Sequence, residues 1–311
     1  MVSATSASSA GHVRPALTLG QPLSRAGGTP RKATGRGRGT ARGWVIAMYL
    51  ALAVFLAWTV VPFLWMILAS VKTNKEIYQD FSIWPKQLYW GHYQTLLTGK
   101  FGRWMRNSTE VALVVTSLSI VLGAFAAYAM TRLQFRGRGF AARALIFTYL
   151  VPSSLLFIPL FTTVAGLGLS NKVGSLMLVY PTFTLPFCTW MMMSYFRAIP
   201  VELEEAAMID GCSRLGVLFR VTIPLALPAI AVVAVFSFTQ SWNEFLYAIV
   251  FTNSVQSRTV TAGLTQMSGD DVFFWGQMMA GAVLAALPPV LLYMAAQRLV
   301  IRGLTIGGVK G

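Results

Sequence analysis

The chain alternates long apolar stretches with short charged connections. Six stretches contain no Asp, Glu, Lys or Arg and are long enough for a membrane helix, which needs about 20 mostly apolar residues to cross roughly 30 Å of hydrocarbon. They cover residues 43–71, 111–131, 144–171, 173–196, 221–243 and 272–297. Backbone polar groups in lipid must be satisfied within the segment, and no stretch alternates like a barrel strand, so each is predicted to be a helix. The pattern predicts an all-α polytopic membrane protein with six transmembrane helices.

Prolines interrupt several of these stretches, among them Pro152, Pro159, Pro224 and Pro228. A proline can kink a helix beside a gated cavity. Proline is also common in ordinary membrane helices, and we therefore expect these residues to serve packing.

The composition excludes several classes of protein. Hydrophobic residues make up 55% of the chain and charged residues 11%, whereas an ordinary soluble domain carries about 25% charged residues. A soluble globular enzyme is excluded because too few polar groups are present to cover a surface in water. Disorder as the main state requires low hydrophobicity and is excluded as well. Two cysteines and two histidines are too few for a disulfide framework or a histidine-based metal centre.

The distribution of Lys and Arg predicts the orientation in the membrane. Basic residues concentrate in the N-terminal segment, in the second-to-third and fourth-to-fifth connections, and at the C-terminal end. Because basic connections tend to stay in the cytoplasm, both termini are predicted to be cytoplasmic. The connection between the first and second stretches is also basic and is the exception to this pattern.

Residues 1–43 are rich in Ser, Gly, Arg and Pro and contain no acidic residue. They hold no apolar run, so they are not a cleavable secretory signal. We interpret them as a basic, disordered cytoplasmic tail. A nucleic-acid-binding arm or an organellar transit peptide would fit the same composition. No aromatic residue precedes Trp44 to stack on a base, so we expect no nucleic-acid partner.

The connection between the fourth and fifth stretches is unusually acidic, with Glu202, Glu204, Glu205 and Asp210. A proline suits the first turn of a helix, glutamates are favoured near its N-terminus, and a glycine commonly ends it. Pro200 and Gly211 therefore bound a predicted short cytoplasmic helix over about residues 200–212. Three- and four-residue spacing groups four of its residues on one side: Leu203, Ala206, Ala207 and Asp210.

Small residues on that side would let another surface approach the helix backbone closely. An acidic rim around a small apolar patch is typical of a docking site for a soluble partner. An amphipathic connector lying on the lipid headgroups is the alternative. The four acidic residues of the connection argue against the headgroup-bound alternative, because anionic lipids attract basic helices and repel acidic ones.

One pattern in this connection reads Glu-Ala-Ala, three residues, Gly, nine residues, and then Val-Thr-Ile-Pro, from Glu205 to Pro224. It resembles the EAA signature of ABC importer permeases, with Val221 and Ile223 where the signature has Ile and Leu. The Trp-Asn-Glu-Phe segment at 242–245 and the glycine-rich end at 303–311 are similar to those of the carbohydrate-uptake branch, in its smaller, maltose-type permease. The resemblance covers about residues 44–311.

The resemblance implies a type I ABC importer permease fold in the plasma membrane of a prokaryote. It implies a six-helix domain over 44–299, with a core unit over about 107–298 and a glycine-rich cytoplasmic tail over 300–311. The implied partners are a second permease, two copies of a cytoplasmic ATPase, an extracytoplasmic solute-binding protein and membrane lipid. The residues implied to couple to the ATPase are Glu204, Glu205, Ala206, Ala207, Asp210, Gly211 and Pro224. The tail residues implied to contact it are Gly307, Gly308 and Lys310.

No catalytic residue and no metal site is expected in this chain. It lacks the Gly-x-x-x-x-Gly-Lys-Ser/Thr loop that cradles phosphates, so ATP and Mg are expected in the partner ATPase and no cofactor in this chain. Trp242, Asn243 and Glu244 are candidates for contact with a sugar, since polar atoms suit hydroxyl groups and an indole face suits the sugar ring. A structural hydrogen bond between helices, or to the partner permease, is the preferred alternative. The alternative functions are a non-transporting scaffold or receptor-like protein, a membrane enzyme, or a permease for a non-sugar solute.

Overall fold

The computed structural model describes residues 38–80, 82–269 and 272–307. The chain divides into two units, Met1–Leu56 and Ala57–Gly311, and the second contains every element after the N-terminal part of α1. The helices before the acidic connection are α1 (Arg38–Ser70), α2 (Asn74–Gln79), α3 (Gly91–Thr98), α4 (Phe101–Arg132), α5 (Arg138–Leu150), α6 (Ser153–Gly166), α7 (Val173–Val179) and α8 (Pro181–Ala198). The remaining elements are α9 (Val201–Ile209), α10 (Arg214–Val217), a π-helix (Leu218–Thr222), α11 (Ile223–Leu225), α12 (Leu227–Asn243), α13 (Leu246–Phe251), α14 (Val260–Thr265), β1 (Ser268–Gly269), β2 (Val272–Phe273) and α15 (Trp275–Gly307).

The all-α class is confirmed, since the only strands in the described part are the two-residue β1 and β2, which pair antiparallel. Four segments are long and apolar enough to cross a membrane alone: Gly43–Ser70, Phe101–Arg132, Val173–Ala198 and Trp275–Val300. Two further pairs, Arg138–Leu150 with Ser153–Gly166 and Arg214–Leu225 with Leu227–Asn243, qualify only together. The described residues therefore contain six candidate membrane spans if each bent pair is counted as one span.

The third and fifth predicted spans are broken rather than straight. α5 and α6 meet at 98°, and the segment before α12 meets α12 at 80°. Pro152 precedes α6, and the residue before a proline is driven to extended backbone, as Val151 is with ψ 122°. The second bend falls at Ala226, between Pro224 of α11 and Pro228 at the start of α12. Neither proline has an N–H, and each ring clashes with the carbonyl four residues earlier. The π-helix ends two residues before Pro224. The expectation that these prolines only serve packing is wrong at the two bends.

Three element ends differ from the predicted ones. α4 begins at Phe101, ten residues before the predicted start at 111, and so includes Arg103, Arg106 and Glu110. α1 begins at Arg38 and includes the end of the segment predicted as a tail. α15 continues to Gly307 and takes up much of the segment predicted as the C-terminal tail.

The packed core of the second unit lies between α4, α8 and α12. Ala124 and Ala127 of α4 meet Met192 and Phe196 of α8, and Val233 of α12 closes the same cluster. All five are at most 4% exposed. The small side chains on α4 let the helices approach closely, which is how membrane helices gain packing contact.

Hydroxyl and thiol groups join the same three helices inside this core. Ser119 of α4 and Thr184 of α8 are joined by a hydrogen bond of 2.8 Å between their side-chain oxygens. The Sγ of Cys188 lies 3.0 Å from the Oγ of Ser237 on α12. Polar pairs of this kind hold membrane helices in register.

The connection between α1 and α4 packs on the N-terminal end of α15. The N–H of Gly276 donates to the Oδ1 of Asn74 at 3.1 Å. A Cβ at Gly276 would lie 2.0 Å from the Nε2 of His92, so only glycine fits. The buried His92 ring donates from Nε2 to the Lys72 carbonyl at 2.9 Å, since a carbonyl can only accept. Burial lowers the pKa of His92 below its ordinary 6.5, and the bond to Lys72 offsets only part of this.

Candidate functional site

The acidic connection forms the predicted helix, α9, over Val201–Ile209. Pro200 occupies the N-cap position with extended backbone, and Glu202 and Glu204 lie in the first turn, where the helix dipole favours negative charge. Gly211 follows the C-cap with φ +89°, which a residue with a side chain rarely adopts. The next N–H then donates back to the Ala207 carbonyl at 3.0 Å and closes the helix end.

Glu204 points into the protein and ties α9 to two other elements. Only 3% of the residue is exposed. Its Oε2 accepts from the Nε of Arg132 on α4 at 2.9 Å, and its Oε1 accepts from the Oγ1 of Thr222 in the π-helix at 3.0 Å. Glu204 is therefore held inside the protein and is not part of the exposed surface of α9.

Arg132 completes this anchor. Its terminal Nη2 donates to the carbonyls of Phe196 and Ile199 at 2.7 and 3.0 Å, at the C-terminal end of α8. The side chains of Arg132 and Glu204 are 11% and 4% exposed, so their ion pair is screened little by water. We call Arg132, Glu204 and Thr222 the α9 anchor. It joins α4, α8, α9 and the π-helix at one point.

In the orientation argument, Arg132 counts only as one of the basic residues between the second and third apolar stretches. The signal that could have found its role is the position of a lone arginine directly at the end of an apolar helix. A glutamate on the inward side of a short helix needs such a cation when it is buried.

The face of α9 opposite Glu204 is exposed to the surroundings. Helical spacing of three, four and seven residues puts Glu202, Glu205, Ala206 and Ile209 on that face, and all four are exposed. Ile209 is 86% exposed, which is unusual for a large apolar side chain and is typical of an interaction site. We call these four residues the α9 outer face.

The predicted grouping of Leu203, Ala206, Ala207 and Asp210 describes this surface incompletely. Leu203 and Asp210 are exposed, but Ala207 is half-buried and lies toward the protein. The predicted group did not include Ile209. This residue follows Glu202 by seven positions and Glu205 by four, and that helical spacing could have indicated that the three side chains share one face.

Pro224 lies after the anchor on the chain, in α11 between the π-helix and the bend. Its exposed ring lies two residues after Thr222. The segment Arg214–Leu225 thus carries the chain from the end of α9, past the anchor, to the bend before α12.

Trp242 is part of the protein interior. It is 2% exposed, its Nε1 donates to the carbonyl of Ala285 on α15 at 3.0 Å, and its ring stacks on Phe238 with centroids 5.5 Å apart. The indole face is therefore occupied by a protein ring. This is the structural role that the sequence analysis gave as the alternative to sugar contact.

Glu244 has a similar internal role. It follows α12 and accepts from the N–H groups of Tyr247 and Ala248 at 3.0 and 3.1 Å, so it caps the start of α13. Its Oε2 also accepts from the Oη of Tyr180 at 2.9 Å. Asn243 is exposed at the end of α12 and is the one member of the predicted set turned outward.

The remaining predicted contacts fall at the C-terminal end. Gly307 is the last residue of α15, while Gly308 and Lys310 lie outside the described residues. Within the described ranges, no group of three or more His, Cys, Asp and Glu side chains could hold a metal ion.

Comparisons with known proteins agree with this architecture. Residues 119–306 match the sequence profile of a family described as "Binding-protein-dependent transport system inner membrane component". The inner membrane ABC transporter permease protein YcjP of Escherichia coli is 37% identical over 270 residues, which cover 86% of this chain and 96% of that protein. The trehalose/maltose transport system permease protein MalG of Thermococcus litoralis is 32% identical over 80% of this chain and 91% of its own length.

Among solved structures, a bacterial ABC transporter involved in the import of the acidic polysaccharide alginate matches in fold. The TM-score is 0.74 at 21% identity, over 83% of this chain and 97% of that chain. The long profile match and the near full-length relatives show that this chain belongs to the family of binding-protein-dependent transport system inner membrane components, the ABC transporter permeases.

Proposed function

We propose that this chain is a permease subunit of an ATP-driven importer for a sugar or a related polyol. In this proposal both termini lie in the cytoplasm, and the chain forms the translocation path together with a second permease. Two copies of a cytoplasmic ABC ATPase bind ATP and Mg, and an extracytoplasmic solute-binding protein delivers the solute. The family membership and the naming of the Thermococcus relative for trehalose and maltose support this assignment.

The observation that carries the proposal is the division of α9 into two faces. The α9 outer face offers an exposed isoleucine between two glutamates, which suits a cleft with an apolar floor and basic walls on a soluble partner. The opposite face is fixed by the α9 anchor. A helix that is exposed on one side and rigidly held on the other can pass a movement of its partner into the membrane domain.

The contacts of the α9 anchor determine which helices move when α9 is displaced. Arg132 holds the end of α8 as well as Glu204, and Thr222 belongs to the π-helix that leads to the bend before α12. A displacement of α9 therefore acts on α4, α8 and the α12 segment together. Nucleotide binding can switch the pathway only if the ATPase grips the two states of the permease with different affinity.

The experiment is Glu205→Lys in the assembled importer, reconstituted in proteoliposomes with ATP inside and loaded binding protein outside. We expect loss of ATP-dependent uptake, with normal membrane insertion, because the charge reversal opposes docking of the ATPase. Glu110→Lys is the matched control: this glutamate is exposed toward the opposite end of α4, and uptake is expected to persist. Unchanged uptake in Glu205→Lys would refute the docking role of α9.

The class of solute is tested separately from the coupling. We expect the binding protein encoded with this permease to bind a sugar or polyol in calorimetric titration and to stimulate the ATPase only when loaded. Binding of a different class of solute would replace the sugar assignment while leaving the role of α9 intact.

A further inference from the structure

α5 and α6 border an open groove with an almost wholly apolar lining. Its volume is about 720 Å³, within the range of about 300–1,000 Å³ typical of small-ligand sites. Phe140, Ala144, Phe147 and Val151 line it from the α5 side and Leu156 from α6. The angle of 98° between the two helices keeps the groove open.

The groove carries one charged side chain, Arg143. Its one hydroxyl, that of Thr148, already donates to the Ala144 carbonyl at 2.9 Å within α5. Arg143 takes part in neither of the two ion pairs found among the described residues. No Asp or Glu occurs in the sequence between Arg132 and Glu202, so this part of the chain supplies no anion of its own.

Further positive charge precedes Arg143 in the chain. Arg136 lies in the connection between α4 and α5, and Arg138 is the first residue of α5. α4 is a membrane-spanning helix that ends at Arg132, so this connection lies at the boundary between hydrocarbon and water. An occupant of the groove must therefore be apolar along most of its length and anionic at the boundary end.

We propose that this groove binds an anionic phospholipid, with its phosphate at Arg143 and one acyl chain along Phe140, Phe147 and Val151. A guanidinium presents paired N–H donors that match phosphate oxygens. Basic pockets between transmembrane helices bind anionic lipid headgroups through this chemistry. A face of a second protein would have to supply an acidic group at the membrane boundary as well as an apolar ridge, whereas an anionic lipid carries both features.

The test uses the assembled importer in nanodiscs of phosphatidylcholine containing a fraction of phosphatidylglycerol. A photoreactive group is placed on the acyl chain of either lipid, and labelled peptides are identified by mass spectrometry. We expect the phosphatidylglycerol probe to label residues 138–156 about fivefold more than the phosphatidylcholine probe, the factor that one basic side chain contributes at an anionic surface. Arg143→Glu should abolish this preference.

Arg298→Glu is the matched control, because it makes the same charge change on an exposed residue of α15; the preference should persist in it. Ala144→Trp keeps Arg143 but fills the groove, and it should lower labelling of this segment by both probes. Arg143→Gln replaces the glutamate variant if that variant does not assemble.

Equal labelling by the two lipids, or a preference that survives loss of Arg143, would overturn the proposal. A photoreactive residue at Phe147 that crosslinks to the second permease instead of lipid would also overturn it. Because the readout is lipid labelling rather than uptake, failure of this proposal is distinguishable from failure of the proposed transport function.

Discussion

Removing Arg132 tests whether the α9 anchor holds the helix in place. Arg132→Met leaves the carboxyl of Glu204, 3% exposed, without its cation. It also takes the arginine donor from the carbonyls of Phe196 and Ile199, although the Phe196 carbonyl still accepts from the Ile199 N–H. Breaking a buried ion pair by removing one partner costs about 3–5 kcal/mol. We expect a loss of that size in the free energy of unfolding, measured by tryptophan fluorescence during titration of mixed micelles with SDS.

A double-mutant cycle separates the ion pair from other effects of the substitution. Glu204→Leu alone should also destabilise strongly, because it leaves the arginine buried and unpaired. The double variant Arg132→Met with Glu204→Leu should cost less than the sum of the two single variants, by about 2–3 kcal/mol. Strictly additive losses, or a loss below about 1 kcal/mol for Arg132→Met, would refute the anchor, since exposed pairs contribute no more than this.

Three further predictions concern single positions. Gly211→Ala forces a side chain into φ +89° and should lower the free energy of unfolding by about 1–2 kcal/mol, measured by the same titration, whereas Gly174→Ala, with open space around it, should be tolerated. The pKa of His92 is lowered in the folded state, so the unfolded chain takes up the proton first as the pH falls. Stability should therefore decrease below about pH 6.5 until the lowered pKa is passed, and His92→Gln should flatten this part of the pH profile if the ring is its source. Trp242→Phe removes the bond to Ala285 and should cost about 1 kcal/mol of stability while leaving the KM of uptake unchanged; a raised KM would indicate solute contact.

The apolar pattern was sufficient for the class of fold because insertion of a helix into lipid depends mainly on the composition of about 20 consecutive residues. The same pattern did not predict which of the six spans are bent. Pro159 lies within α6, and Pro288 and Pro289 lie within α15 without ending it. Pro152, Pro224 and Pro228 have the same chemistry but lie within two residues of a break. Whether a helix continues through a proline depends on what its neighbours offer to the freed backbone groups, which the local sequence does not contain.

The same distinction applies to the candidate site. Helix α9 and its end at Gly211 follow from residues close together in the sequence, and both were predicted correctly. The inward direction of Glu204 depends on Arg132, 72 positions earlier in the chain. Trp242 and Glu244 were ambiguous for the same reason, since Ala285 and Tyr180 decide their roles from distant positions.

Two adjacent glutamates in the acidic connection therefore have different physical roles. A helix turns by about 100° per residue, so Glu204 and Glu205 point in different directions, one toward Arg132 and the other to the exposed side. Loss of the first should leave the outer face available while loosening its attachment to α4. Loss of the second should leave the attachment intact while weakening the docking proposed for the outer face. Because docking and transmission use separate side chains, ATPase retention on the purified permease should survive Glu204→Gln and fail in Glu205→Lys, whereas uptake should suffer in both.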